Sequence, residues 1–272
     1  MNPALEAIAA GPGFRGVIAA DEVRRLGLGL PELLPLAARY ARPPVSEFKV
    51  GAVALGLSGA VYLGANIEFP GLPIGATVHA EQCAVANAWM HGERGLSALA
   101  VTAAPCGHCR QFLHELASPP AILLPGRDAL PLSTLLPDAF GPGDLGIPDR
   151  LMQPADHGLT IDADDPLLRA ALEAANASHA PYSRAWAGVA LRTADGAVFA
   201  GRYAENAAFN PSLPPLQCAV ALLLLAGRRL EEVTAAALVE HPSPVSHAGA
   251  ARALLAPLGI PVTAALAHPL QS

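Results

Sequence analysis

Short apolar runs in the first half of the chain form a pattern typical of a β-hairpin. The run VGAVALGL (50–57) is followed by two small turn residues, Ser58 and Gly59, and then by AVYLGAN (60–66). A short turn between two runs rich in apolar and β-branched residues favours antiparallel pairing. The pattern therefore predicts two adjacent antiparallel strands.

Helical and strand patterns alternate after this hairpin. Apolar residues recur at helical spacing from about Ala80 to His91, and the buried-type strand ALAVTAAP (98–105) follows. A second helix is predicted from Gly107 to about Leu116, and it leads to the short apolar run AILLP (121–125). Alternating strands and helices predict an α/β fold with α/β/α layers, in which helical crossovers join the late strands.

The same series of elements occurs twice in the chain. The apolar helical segment LLPLAARYARPPVS (33–46) resembles LLRAALEAANASHAPYS (167–183). HAEQCAV (79–85) resembles PPLQCAV (214–220) at an offset of 135 residues, as a two-residue loop difference would produce. Four further pairs share an offset of 137 residues: Gly51 and Gly188, Gly59 and Gly196, Gly64 and Gly201, Glu68 and Glu205. We therefore predict a duplicated domain.

Four segments follow from this repeat and from the length of 272 residues. Residues 1–28 belong to neither copy and are predicted to form a small helical extension. The first domain covers 29–130, and a stretch rich in Pro, Gly and Asp predicts a linker over 131–160. The second domain covers 161–272.

Composition and charge narrow the class of protein. With 52% hydrophobic and 15% charged residues the chain is too apolar to be disordered, yet no run approaches the about 18 apolar residues of a membrane span. A net charge of −6 argues against nucleic acid as a partner, because binding to phosphates needs a basic surface. The N-terminus lacks a secretory signal pattern. We therefore expect a cytoplasmic protein that binds a small neutral ligand.

The strongest chemical signal is APCGHCRQF (104–112). Cys106 and Cys109 stand three residues apart between a predicted strand and a predicted helix, a spacing at which two thiolates can meet one metal ion. A CxxC pair also occurs in redox dithiols and in structural zinc sites. A structural site closes with four protein ligands, however, and neither a second CxxC nor a His-x-x-His is present.

His79 and Glu81 supply the remaining chemistry. His79 begins a predicted helix and is the obvious third ligand, so that a Zn²⁺ ion would keep one position open for water. Glu81 would face that water, where a carboxylate can take up a proton and deliver it to a substrate nitrogen. The pattern H-x-E followed by P-C-x-x-C is typical of zinc deaminases.

Six segments carry a resemblance to one family: SEFKVGA, GANIEF, HAEQCAVANAW, PCGHCRQFLHEL, PDAFGP and YAENAAFNPSLPPLQ. Over about residues 30–270 the chain resembles cytidine deaminases of the bacterial homodimeric type, whose subunit carries a catalytic domain and a second, broken copy. The resemblance implies zinc-dependent hydrolysis of cytidine and deoxycytidine to uridine and deoxyuridine with release of ammonia, in pyrimidine salvage. Zinc hydroxide would attack C4, while Glu81 would protonate N3 and then carry a proton to the departing amino group.

The resemblance also implies a set of substrate contacts in the first domain. The ring of Phe48 would pack on the pyrimidine, and Asn66 and Glu68 would bind the ribose. The main chain at Ala80 and Ala104 would contact the base. The chain departs from the family pattern at Lys49, because the pattern has a neutral side chain at this position.

In the second copy this chemistry is absent. His79 and Glu81 align with Pro214 and Leu216, and PVSHA (244–248) stands where PCGHC stands in the first copy. The second domain is therefore predicted to be non-catalytic and kept for packing and assembly. By resemblance, the protein is a homodimer in which the second domain of one subunit closes the site of the other through Phe209.

Other reactive side chains receive structural interpretations. Cys83 and Cys218 occupy one position of the repeat on an apolar helical face and are predicted to be buried core thiols. For His108 we favour a surface position or a local hydrogen bond. Arg110 could offset thiolate charge or occupy an ordinary surface position, and the two interpretations are equally consistent with the sequence. Glu205 could make a contact across the dimer or stabilise a turn.

Two alternatives to the leading function and one alternative to the predicted homodimer remain at this stage. One is a related zinc deaminase acting on a nucleotide, a modified nucleoside or a polynucleotide, of which the acidic charge disfavours the anionic substrates. Another is a non-catalytic zinc module, in which Glu81 would have no use. The duplicated fold also permits a pseudo-dimer formed within one chain.

Overall fold

The computed structural model describes residues 3–270 and divides into two compact units. The first unit runs to Gln153 and takes in Leu225–Gly227, and the second comprises Pro154–Leu224 and the chain from Arg228 onward. The division lies within the Pro- and Gly-rich stretch 131–160. The outermost positions of the predicted domains, residues 1, 2, 271 and 272, lie outside the described residues.

The first unit contains one sheet and the helices around it. Its helices are α1 (Pro3–Ala9), α2 (Ala20–Leu26), α3 (Leu30–Ala38), α4 (Ala80–Met90), α5 (Gly107–Leu113) and α6 (Leu132–Leu135). Its strands are β1 (Val17–Ile18), β2 (Gly51–Gly56), β3 (Val61–Ala65), β4 (Leu96–Val101) and β5 (Ala121–Leu123). Single turns of 3₁₀ helix cover Ile74–Ala76 and Pro142–Leu145.

The strand order in this sheet is β1-β3-β2-β4-β5. Strands β2 and β3 form the predicted hairpin, and β4 pairs with β2 in the antiparallel sense. Strands β4 and β5 run parallel, with α5 in the crossover between them, so the predicted helical crossover is confirmed.

Close packing at two glycines places helices on both faces of this sheet. A Cβ atom at Gly51 would lie 2.6 Å from the Ala38 nitrogen in α3, and one at Gly64 would lie 2.3 Å from the Ala80 oxygen in α4. Gly64 pairs with Ala52, the neighbour of Gly51, and successive residues of a strand point to opposite faces. Helices α3 and α4 therefore lie on opposite faces, which confirms the predicted α/β/α layers.

The second unit repeats this arrangement. Its helices are α7 (Pro166–Asn176), α8 (Pro215–Leu225) and α9 (Ala248–Leu255), with 3₁₀ turns at Leu230–Glu232 and Ala256–Leu258. Its strands are β6 (Leu159–Thr160), β7 (Ala187–Thr193), β8 (Val198–Arg202), β9 (Val233–Glu240), β10 (Val262–Leu266) and β11 (His268–Pro269). The main sheet has the order β10-β9-β7-β8, in which only β9 and β10 run parallel among the described strands, and β6 pairs with β11.

The corresponding glycines of the second unit, Gly188 and Gly201, allow the same close packing of helices on the sheet. A Cβ atom at Gly188 would lie 2.3 Å from the Ala171 oxygen in α7, and one at Gly201 would lie 2.3 Å from the Pro215 oxygen in α8. Helix α7 begins after Asp165, whose side chain accepts a hydrogen bond from the Leu167 nitrogen at 2.7 Å. The shared glycine register therefore reflects one helix-on-sheet geometry used twice.

The N-terminal extension is helical only in part. Residues Val17 and Ile18 form β1, which pairs with β3 at one edge of the first sheet. The Gly16 oxygen accepts hydrogen bonds from the Leu63 nitrogen at 2.8 Å and from the Asn87 side chain at 2.9 Å. This pairing involves residues about 45 positions apart in the chain, so periodicity within the extension could not reveal it.

No helix in the described part of the chain is long and apolar enough to cross a membrane.

Candidate active site

The start of α4 positions His79 and Glu81. The Val78 and Ile67 main chains exchange two hydrogen bonds of 2.9 Å, which ties the segment before the helix to the end of β3. His79 then takes the N-cap position, and its nitrogen donates to the Gln82 side chain at 3.2 Å. Glu81 follows in the first turn of the helix.

The second segment of the site is the loop between β4 and α5. Cys106 is the N-cap residue of α5 and is exposed, whereas Cys109 lies in the first turn and is buried. Arg110 holds this loop: its Nε donates to the Pro105 oxygen at 2.8 Å and its Nη1 to the Leu135 oxygen at 2.7 Å. Arg110 therefore ties the loop to α6, which neither interpretation of the sequence anticipated.

His79, Cys106 and Cys109 converge on one point. The Nδ1 atom of His79 lies 3.5 Å from the Cys106 sulfur and 3.3 Å from the Cys109 sulfur, and the two sulfurs are 3.6 Å apart. A tetrahedral zinc ion with ordinary bond lengths separates two thiolate sulfurs by about 3.8 Å and a sulfur from an imidazole nitrogen by about 3.6 Å. The three donors thus fit one tetrahedral zinc ion with a fourth position left over.

The two thiols form a coupled pair. The hydrogen bond between the two sulfurs lowers the pKa of Cys106 to about 4, helped by the backbone N–H groups of Cys109 and His108. The same hydrogen bond, together with burial, raises the pKa of Cys109. Zinc is bound by thiolates, so zinc binding at this pair requires loss of the thiol protons.

Glu81 is buried beside these donors, with 4% of its surface exposed. Burial raises the pKa of this carboxyl group, while a hydrogen bond from its own N–H opposes the rise. A carboxyl group with a raised pKa is a stronger base than a free glutamate, which suits a group that takes up and passes on a proton.

The ring of His108 lies against the ring of His79. Their centroids are 4.8 Å apart at an interplanar angle of 25°, and His108 is half-buried. Potential ligand atoms of His79, His108 and Cys109 all lie within 4.8 Å of one another. The sequence favoured a surface position or a local hydrogen bond for His108, and the spacing within the CxxC motif gave no sign of the stacked rings.

Asn66 holds the segment that carries Phe48. Its Oδ1 accepts from the Val50 nitrogen at 2.9 Å, and its Nδ2 donates to the Phe48 oxygen at 2.9 Å. The Phe48 side chain is 61% exposed. A large exposed apolar ring can cover a flat ligand, and the family resemblance implies that this ligand is a pyrimidine.

Glu68 holds the neighbouring turn. Its Oε2 accepts from the Val45 and Ser46 nitrogens at 2.8 and 2.9 Å, and its Oε1 accepts from the Ser46 hydroxyl at 2.5 Å. The hydrogen bond from the Ser46 hydroxyl lowers the pKa of this carboxyl group. A carboxylate has about four acceptor positions, so capacity remains for a ligand hydroxyl.

Ala80 and Ala104 bring two main-chain segments to the same region. Ala80 lies between His79 and Glu81 and is buried at the first position of α4. Ala104 is exposed two residues before Cys106. Their predicted contacts with a base stay predictions.

The corresponding positions of the second unit carry apolar side chains. Pro214, Leu216, Val245 and Ala248 replace the three donors and Glu81, and Phe48 corresponds to the buried Ala185. These side chains offer no donor atoms for a metal ion. Cys83 and Cys218 are fully buried in α4 and α8, as predicted.

Phe209 lies on an exposed turn of the second unit. Its side chain is 62% exposed, and its φ of 58° places the backbone in the left-handed region. Such a conformation costs energy for a bulky residue and is found most often where function requires it.

Comparison with known proteins places the chain in a family. Residues 30–123 and 132–252 each match the model of the cytidine and deoxycytidylate deaminase zinc-binding region. The cytidine deaminase of Vibrio vulnificus (strain CMCP6) is 54% identical over 236 residues, covering 85% of this chain and 80% of that protein. The cytidine deaminase of Yersinia pestis (strain Pestoides F) is 51% identical over 247 residues, covering 87% and 84%.

A solved cytidine deaminase from Mycobacterium tuberculosis is 39% identical, covers 41% of this chain and 94% of its own, and has a TM-score of 0.38. The zinc-binding description of both matched regions, together with the converging donors, identifies Zn²⁺ as the cofactor. Identity above one half over most of both chains establishes that this protein belongs to the cytidine deaminase family.

Proposed function

We propose that this protein hydrolyses cytidine and deoxycytidine to uridine and deoxyuridine with release of ammonia, in pyrimidine salvage. The observation that carries the proposal is the convergence of His79, Cys106 and Cys109 beside the buried Glu81. These residues would hold the zinc ion. Bound zinc activates water for attack on an electrophilic carbon.

Glu81 would move the protons of the reaction. Its raised pKa and its place beside the donor atoms suit a group that takes a proton from water and gives it first to N3 of the pyrimidine. The same carboxyl group would then take the second proton from the oxygen added at C4 and pass it to the departing amino group, because ammonia leaves more readily than its anion. A non-catalytic zinc module would have no use for a buried carboxyl group in this place.

The first unit would also bind the nucleoside. Phe48 would cover the pyrimidine, Asn66 and Glu68 would bind the ribose, and the main chain at Ala80 and Ala104 would contact the base. The hydrogen bonds of Asn66 to the Phe48 oxygen and of Glu68 to the Ser46 turn support this assignment, since they hold these groups ready before substrate enters.

We also propose that the protein is a homodimer. Its second unit, a degenerate domain without the catalytic residues, would contribute to the site of the partner subunit. Phe209 of one subunit would close the base pocket of its partner, and its exposure on a left-handed turn supports this role.

All four cysteines are free thiols, which fits the reducing cytoplasm that we expect for a site with thiolate ligands.

The central experiment measures ammonia release and the ultraviolet change with cytidine and, in parallel, with cytidine monophosphate. We expect turnover of cytidine, one zinc per chain, and loss of turnover with zinc retained in Glu81→Gln. Turnover of the monophosphate alone would replace the nucleoside by a nucleotide as substrate. Retained turnover in Glu81→Gln would remove Glu81 from the mechanism.

Mixed dimers test whether Phe209 acts across subunits. Glu81→Gln chains and Phe209→Ala chains are combined, so that a mixed dimer has one site with an intact Glu81 and an intact Phe209 from its partner. We expect that site to regain the parental KM. A KM that stays at the Phe209→Ala value, with mixed dimers shown by native mass spectrometry, would place Phe209 in its own subunit's site. A parental KM in Phe209→Ala itself would place Phe209 outside any site.

A further inference from the structure

Glu205 is a carboxyl group retained in the unit that has lost its other site chemistry. It corresponds to Glu68 in the repeat, yet Phe48 and Asn66 have become Ala185 and Tyr203 in this copy. Only 1% of Glu205 is exposed. A buried carboxylate is unfavourable unless it is hydrogen-bonded, so its retention requires a local reason.

The hydrogen bonds of Glu205 supply that reason. Its Oε2 accepts from the Tyr182 and Ser183 nitrogens at 2.9 and 3.1 Å. Its Oε1 lies 3.5 Å from the Tyr203 hydroxyl. Glu68 binds the corresponding turn of the first unit at Val45 and Ser46, so both carboxylates hold the same turn. The difference between the copies is the side chain that the turn presents, which is Val45 in one and Tyr182 in the other.

Tyr182 packs against Phe209. The two ring centroids are 6.5 Å apart at an interplanar angle of 80°, an edge-to-face arrangement that aromatic pairs favour. Tyr182 is half-buried, whereas Phe209 is mostly exposed. The ring of Tyr182 therefore supports one side of a side chain that otherwise projects into solvent.

The backbone of Phe209 is held independently. Its nitrogen donates to the Asn206 oxygen at 2.8 Å, and its oxygen accepts from the Ser212 nitrogen at 2.9 Å. The Asn206 side chain also accepts from the Ala208 nitrogen at 3.0 Å. These bonds fix where the Cα atom of Phe209 lies, but they leave the direction of the ring to its packing against Tyr182.

We propose that Tyr182, held by Glu205, is a positioning residue that directs Phe209 toward the substrate of the partner subunit. The inference rests on the proposed role of Phe209. It explains why Glu205 persists in a unit that binds no zinc. Because Phe209 would touch the pyrimidine without taking part in proton transfer, loss of its support should weaken substrate binding and leave the chemical step unchanged.

The test compares KM and kcat for cytidine in Tyr182→Ala, Tyr182→Phe, Phe209→Ala and the Tyr182→Ala/Phe209→Ala double variant. We expect Tyr182→Ala to raise KM about threefold to tenfold, the range of one aromatic contact, with kcat unchanged. Tyr182→Phe keeps the ring and should restore the parental KM. The double variant should be no worse than Phe209→Ala, since Tyr182 acts through that ring.

Glu205 is tested by the same measurement. Glu205→Gln keeps an oxygen that can accept from the Tyr182 nitrogen and should stay near the parental KM, whereas Glu205→Ala should resemble Tyr182→Ala. Sedimentation of each variant shows whether it still folds and associates. If Glu205→Ala does not fold, the Tyr182 series decides the inference.

The outcomes separate this inference from the function on which it rests. An unchanged KM in Phe209→Ala would overturn the role of Phe209 itself. A raised KM in Phe209→Ala with no change in Tyr182→Ala would overturn the positioning role alone. Full additivity in the double variant would also overturn it, because Tyr182 would then act by another route.

Discussion

A Cβ atom on Gly64 would lie 2.3 Å from the carbonyl oxygen of Ala80, the residue between His79 and Glu81. Helix α4 therefore rests directly on strand β3 at the point where the site begins. An added methyl group must push the first turn of the helix away from the sheet, and both functional side chains move with it.

Gly64→Ala should therefore lower zinc content and activity together. We expect at least a tenfold loss of kcat/KM and a stability loss of about 1 to 3 kcal/mol, the usual cost of overpacking. Zinc per chain and calorimetric unfolding measure the two effects. Gly201→Ala is the matched control, because a Cβ there would lie 2.3 Å from the Pro215 oxygen in the second unit. It should lose stability and keep zinc. Parental zinc content in Gly64→Ala would show that α4 tolerates the shift.

The four cysteines should separate into two pairs. Cys106→Ala and Cys109→Ala each remove one of three donors, so we expect zinc per chain to fall toward zero after dialysis. Cys83→Ala and Cys218→Ala change fully buried thiols in the two helices and should keep zinc at the parental level. Inductively coupled plasma mass spectrometry of the dialysed variants measures this difference. Zinc retained in Cys109→Ala would point to another donor, such as His108.

His247 should make stability depend on pH. Its ring lies 4.3 Å from that of Tyr203, and its buried Nε2 atom has no hydrogen-bond partner among residues 3–270. Burial lowers the pKa of His247 from 6.5 to about 4, against the opposing charge of Glu240. Because the pKa is lower in the folded state, the unfolded chain takes up this proton first. Titration of His247 therefore leaves the free energy of unfolding unchanged above pH 6.5. As the pH drops from 6.5 toward 4, it lowers the free energy of unfolding by about 3 kcal/mol in total.

His247→Phe keeps a ring against Tyr203 and cannot take up the proton. We expect similar melting temperatures for the two proteins at pH 7.5 and a higher melting temperature for the variant at pH 4.5. Carboxylates titrate in both proteins, so the difference between the two curves isolates His247. Parallel curves across this range would mean that His247 stays equally accessible to protons in the folded state.

The hairpin turns of the two units are held by different chemistry at aligned positions. In the first unit Ser58 donates to the buried Glu93 at 2.5 Å, and the Tyr62 hydroxyl lies 3.3 Å from the same carboxylate. In the second unit the exposed Asp195 pairs with Arg228. We expect Glu93→Ala to cost about 1 to 3 kcal/mol, because it leaves buried partners without an acceptor. Arg228→Ala should lower the melting temperature less, because solvent screens that pair. Equal shifts in thermal unfolding would contradict this.

Much of the fold follows from local patterns. The hairpin, the crossover helices and the duplication were predictable, because apolar periodicity and glycine spacing recur in register in both copies. The chemistry of the site was equally accessible. His79, Glu81, Cys106 and Cys109 occupy two short motifs with metal-ligand spacing, and the loss of those residue types in the second copy can be seen by alignment.

The contacts between distant segments were not predictable in this way. Strand β1 joins the sheet through pairing with β3, and the Glu68 carboxylate binds a turn 22 residues earlier. The stacking of His108 on His79 likewise joins two helix starts that are 29 positions apart.

The family, the fold class and the set of chemical groups could be inferred from the amino-acid sequence, because each depends on residue types and their spacing. The way in which the fold supports those groups became visible in the three-dimensional structure. Asn66 holds Phe48, Glu68 and Glu205 hold equivalent turns, and Tyr182 supports Phe209. Such support depends on distances across the folded chain, which local propensity does not encode.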